Sequence, residues 1–218
     1  PLSALLWRSL TQTTPGATRF TLSGWRAVTS STTLGAISTS TLFALCAMVI
    51  ATVLGLMVAL GVAYGSPRFV WLERISVLPL TVSAVTIGLG ILITYDTAPY
   101  DFRSAWIITP LAHSLIALPI VVRIVLPVVR QIPRGLQSVA STLGATPLQT
   151  WLTVDRPLMS RAVGASAAIA FAISIGEFGA TSFLTRRSSE TLPVTISRLL
   201  SRPGDALRAQ AYALCVII

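Results

Sequence analysis

The sequence predicts an all-α integral membrane protein, a bundle of transmembrane helices joined through one long loop with short helices of its own. Two observations predict it. First, 53% of the 218 residues are hydrophobic and only 11% are charged, with a mean hydropathy of +0.78. A soluble domain carries about 25% charged residues, so this chain could not cover its own surface in water. Second, its apolar residues gather into long segments broken by Gly/Pro turns, as segments that must satisfy their backbone inside lipid do.

The charges are all of one basic kind. The 16 basic residues are arginines and the formal net charge is +9. Such a balance raises nucleic acid as a partner. Here, however, the arginines stand between apolar spans, without a polar face or interleaved aromatics, so the bilayer is the expected partner and nucleic acid is not.

Along the chain, residues 1–33 are rich in threonine and serine, with turn signals at Pro15-Gly16 and Ser23-Gly24, and read as an extracytoplasmic segment of loop or short helices. The span 34–64 is apolar, broken only by small hydroxyl residues, and ends at Gly65-Ser66-Pro67. A second span is expected over 75–94, followed by a polar turn with Asp96, Pro99 and Asp101. The third, 105–129, carries Pro110, Pro119 and Pro127, which imply kinks. The fourth is expected over 161–184 and a truncated fifth over 207–218. The first residue is not methionine and the last apolar run is about half the ~20 residues a span needs, so the chain reads as a segment of a longer protein.

In the fourth span Gly164, Ala168, Ala172, Gly176 and Ala180 recur every four residues. Small residues on one ridge let helix backbones approach closely in lipid, which places this helix centrally, although small residues are also common in membrane helices generally. Glu177 is the one acidic residue in a span. A charge at that depth belongs in a translocation path or an internal ion pair. His113 has no second histidine or cysteine to make a metal site with and reads as a packed or hydrogen-bonded residue; Cys46 and Cys215 read as small hydrophobes. No metal site and no catalytic constellation is expected.

The loop 130–160 is the most informative stretch. Leu136, Val139, Ala140 and Leu143 share one helical face, and Gly144 follows where a C-cap glycine belongs. Thr146-Pro147-Leu148-Gln149 then supplies a capping box with proline at the first helical position. Leu148, Trp151 and Leu152 give the second helix its own apolar face, and Pro157 closes the unit. Two such faces need cover, either headgroups at the membrane surface or a partner protein.

The stretch from Ser138 to Pro157 resembles the loop motif of binding-protein-dependent ABC permeases, Glu-Ala-Ala-x3-Gly-x9-Ile-x-Leu-Pro. Ser138, Val139 and Ala140 stand at its Glu-Ala-Ala positions, Gly144 at the glycine, Val154 at the isoleucine, and Arg156 and Pro157 at the Leu-Pro. Serine for glutamate, valine for the first alanine and arginine for leucine are departures. Arg130-Gln131-Ile132-Pro133, Ser174 to Ala180 and Thr191-Leu192-Pro193 look like the ferric-iron and thiamine importer permeases, which often carry two similar halves; this chain resembles a second half.

The resemblance covers roughly residues 30–218 and implies an inner-membrane, multi-pass permease subunit of an ATP-driven importer. Its loop would be a cytoplasmic coupling helix docked on a separate ATPase. An extracytoplasmic substrate-binding protein and a second permease half or copy would complete the assembly. A Walker A loop needs a lysine and this sequence has none, so ATP is expected on the partner and no cofactor on this chain. Glu177 would suit a cationic cargo such as ferric iron or thiamine. With the loop inside, arginines fall on both sides, so the positive-inside rule does not support the orientation; it rests on the motif. A secondary transporter, which would show an inverted repeat and paired midplane charges, and a membrane enzyme are the competing readings.

Overall fold

The computed structural model describes residues 2–14, 17–95, 106–185 and 189–218. The expected turns at Pro15-Gly16 and around Asp96, Pro99 and Asp101 lie outside the described residues, as do Ala105, Arg103, Arg186 and Arg187.

Helices dominate. They are α1 (Leu2–Leu10), α2 (Ser23–Val28), α3 (Ser31–Tyr64), α4 (Val70–Val77), α5 (Ala84–Tyr95), α6 (Ile108–Gln131), α7 (Arg134–Thr142), α8 (Pro147–Thr150), α9 (Arg156–Ile175), α10 (Thr181–Leu184), α11 (Leu192–Leu200) and α12 (Asp205–Ile217). One small antiparallel hairpin, β1 (Thr11–Thr14) with β2 (Ala17–Phe20), lies near the N-terminus, with Thr11 opposite Phe20. Among the described residues three helices are long and apolar enough to cross a membrane: Ser31–Tyr64, Ile108–Gln131 and Pro147–Ile175.

Two expected spans are corrected. The span 75–94 is a bent pair, Pro67–Thr81 and Ala84–Tyr95, meeting at 97°. The break falls at Val82-Ser83, where Val82 is extended at the end of a 3-10 turn that contains Pro79. The span 161–184 starts earlier and stops earlier. α8 runs through a π turn, Trp151–Asp155, into α9, which ends at Ile175. Pro157 therefore does not close the loop; it sits in the first turn of α9. The Arg156 N–H reaches back five residues to the Trp151 carbonyl, and this wider turn comes just before the residue whose ring would clash in a regular helix.

The chain divides into two compact units, neither of which begins at residue 34. One comprises 44–87 and 110–174. Its core takes Ala51 and Ala59 from α3, Ala117, Val121, Val122, Val125 and Val129 from α6, and Met159 and Ala170 from α9. Alanines on one helix facing valines on another bring helix backbones close, the packing that holds helices together where lipid removes the hydrophobic drive. Gly55 shows how close: a Cβ there would lie 2.5 Å from Val121 Cγ1.

The other unit comprises 1–43, 88–109 and 175–218. The first 33 residues do not stand apart in it. α1 and α2 pack on α12, with Gly24 against the Ala209 backbone, and the Gln210 side-chain amide donates to the Ala27 carbonyl and the Thr33 hydroxyl. Leu192, Ile196 and Leu199 of α11 pack with Ala211 and Leu214 of α12.

Candidate functional site

The loop folds as its local sequence dictates. α7 closes on Gly144 at φ 84°, in the left-handed region that suits glycine. The Gly144 N–H donates to the Ser141 carbonyl and the Ala145 N–H to the Ala140 carbonyl, each at 3.0 Å, which satisfies two of the helix's last carbonyls. Thr146 and Gln149 then cap α8 reciprocally: the Gln149 N–H donates to Thr146 Oγ1 at 3.3 Å and the Thr146 N–H donates to Gln149 Oε1 at 2.8 Å. The apolar arc of α7 is left uncovered, with Val139 59% and Leu143 81% exposed and Leu136 beside them; Leu148 and Leu152 are exposed as well. Among the motif positions Ser138, Val139, Gly144 and Pro157 are exposed, while Ala140 and Val154 are half-buried.

A carboxylate that the sequence reading passed over sits behind this surface. Asp155, the variable residue between Val154 and Arg156, is only 6% exposed. Gln137 Nε2 of α7 donates to its Oδ1 at 2.8 Å, and the Tyr64 hydroxyl at the end of α3 donates to the same atom at 3.4 Å. The signal was available: Asp155 falls four residues from both Trp151 and Met159, on the stripe that faces the core.

Glu177 is buried, at 8% exposure, in the turn after α9. The Ala180 and Thr181 N–H groups donate to its two carboxylate oxygens at 2.9 and 3.1 Å, and the Thr181 hydroxyl donates at 2.8 Å. The carboxylate thus caps the start of α10, a local role that neither sequence reading foresaw.

The ridge of small residues is divided by the end of α9. Gly176 and Ala180 lie beyond the end of α9, and Gly164, Ala168 and Ala172 are not buried on it; the face that α9 buries carries Ser166, Ala170 and Ser174 instead. Ala180 does meet a helix, because a Cβ on Gly88 of α5 would lie 2.6 Å from its Cα. His113 is 2% exposed and its Nδ1 lies 2.7 Å from the Ser174 hydroxyl, a bond between α6 and α9. Among the described residues no group of three His, Cys, Asp or Glu is placed to hold a metal ion.

Residues 51–218 match the family described as binding-protein-dependent transport system inner membrane component. The chain belongs to that family. It is a permease subunit of an ABC importer, a multi-pass protein of the inner membrane and not an enzyme. Membership brings an ATPase and a substrate-binding protein as partners and sets aside the secondary transporter.

Among its relatives, a Salmonella typhimurium permease protein named for 2-aminoethylphosphonate transport is 29% identical over 100% of this permease and 85% of the relative. A sulfate transport system permease protein of the same organism is 30% identical, over 89% of this chain and 74% of its own length. A molybdenum transport system permease protein of Mycobacterium bovis is 28% identical, over 89% and 78%. None of these three is named for iron or thiamine, so the expected subgroup is not supported.

Proposed function

We propose that this permease takes up a small oxyanion and that α7 is the element docked on its ATPase. The observation that carries the docking is the uncovered apolar arc of Leu136, Val139 and Leu143 along α7, which Gly144 closes ahead of the Thr146-capped α8. A face of that kind, next to spans and at the motif position, fits a groove on a protein better than water. The loop then lies in the cytoplasm and the substrate-binding protein meets the opposite side.

The cargo reading replaces the cationic one. Its support within the span was the Glu177 carboxylate, and three donors from the residue's own turn already meet that group. The relatives named for phosphonate, sulfate and molybdenum transport favour an anionic solute. The outward positions Gly164, Ala168 and Ala172 are the proposed contact with a second permease half or copy.

The test is co-purification of the ATPase with the wild-type permease and with Gly144→Arg, which forces a side chain into a backbone conformation that costs L-residues roughly 1–2 kcal/mol and sets a bulky cation beside the docking face. Loss of the ATPase from a folded variant supports docking at α7; unchanged capture refutes it. Uptake by the reconstituted complex of 2-aminoethylphosphonate, sulfate or molybdate supports the anionic cargo, whereas uptake of thiamine or ferric iron in their place refutes it.

A further inference from the structure

The apolar arc of α7 explains how a partner could hold the loop, but not how a load on the loop reaches the spans. We infer that Asp155 is a positioning residue that locks α7 to α3 and α9 as one moving piece. The inference rests on the docking reading above only for the source of the load.

Three observations converge on it. The first is the bonding: a buried carboxylate oxygen accepts from α7 through Gln137 at 2.8 Å and from the end of α3 through Tyr64 at 3.4 Å, while its own backbone leads into α9. Bonds to a charged acceptor are stronger than neutral ones, and burial raises the cost of breaking them. The second is the π turn. Trp151–Asp155 is wound wider than the helix on either side, so Asp155 sits at the seam between the wide turn and the regular α9. Trp151 before it packs against the core and Met159 after it lies in the core, so the backbone that carries the carboxylate cannot swing freely.

The third is the division of α7 into two faces. Gln137 points to the joint, while Leu136, Val139 and Leu143 remain exposed. Ile132, just ahead of α7, is buried in the same core. The short helix is therefore pinned at its start by an apolar anchor and in its middle by a polar one. A displacement of its outer face must move Asp155, and with it the start of α9 and the end of α3.

Hydrogen exchange on the permease–ATPase complex in lipid nanodiscs tests this, compared nucleotide-free and trapped with ATP and vanadate. In the wild type, trapping alters exchange in α7 and also at the Tyr64 end of α3 and over Arg156–Ser160. In Asp155→Ala the ATPase still co-purifies and α7 still responds to trapping, but the response at α3 and α9 is lost, and resting α7 amides exchange about tenfold faster, the scale of one charged hydrogen bond. Asp155→Asn keeps an acceptor oxygen in place and restores both. An undiminished nucleotide response at α3 and α9 in Asp155→Ala overturns the joint. So does resting α7 exchange equal to wild type, which can be read on the permease alone should no ATPase be captured. If Asp155→Ala does not fold, Gln137→Ala carries the same comparison with the carboxylate and Tyr64 left in place.

Discussion

A carboxylate held inside a chain with so few charges needs donors, and the nearest available are backbone N–H groups. Glu177 takes two of them, from Ala180 and Thr181, together with the Thr181 hydroxyl. Glu177→Ala takes the carboxylate acceptor from two buried N–H groups, at a cost of about 2–6 kcal/mol. The detergent-solubilised variant should melt several degrees lower, and Glu177→Gln, which keeps one carbonyl oxygen, should fall between. A melting temperature unchanged in Glu177→Ala would remove the cap from the account. The sequence marked this residue but not its work. Spacing read the helix straight through to 184, and a carboxylate on a regular helix at that depth has no free N–H to find. Only the turn at Gly176–Ala180 frees them. For Asp155 the spacing to Trp151 and Met159 signals burial, but its partners Tyr64 and Gln137 are distant in sequence and no local pattern couples them.

Elements whose geometry is local were legible. The Gly144 turn and the Thr146–Gln149 cap are each settled by residues within one turn of one another, and both are present as read. Thr146→Ala removes a cap oxygen worth about 1 kcal/mol, so the amides of Gln149 and Thr150 should exchange roughly fivefold faster while those of α6 keep their rates. Equal exchange in variant and wild type would mean that Pro147 and the π turn alone hold the start of α8. The helix beyond this cap was less legible. Pro157 reads as a stop because proline breaks regular helices, but the five-residue reach from the Arg156 N–H to the Trp151 carbonyl opens the turn ahead of it and the helix continues to Ile175. The bend after Pro67–Thr81 was hidden likewise, because hydropathy registers apolar length and is blind to direction.

At the scale of the whole molecule, what α9 leaves bare is as informative as what it buries. Its buried line runs through Ser166, Ala170 and Ser174, and the small residues Gly164, Ala168 and Ala172 look outward. Lipid tails gain nothing from glycine and alanine over leucine, whereas a second helix gains close backbone contact, so an outward row of small residues fits a helix from another permease half or copy. A bulky side chain on that row should keep the helices apart. Ala168→Trp is therefore expected to reduce the paired permease species seen by native mass spectrometry from nanodiscs. Ile169→Trp, at an exposed position one residue off the row, should leave pairing intact. The control matters because both variants add the same ring to the same helix, so any difference between them belongs to the row and not to insertion or folding. Should both variants pair like the wild type, the row faces lipid and the second permease element meets another surface of this chain. Should both lose pairing, the contact is broader than the small-residue row and the close-approach account of it fails.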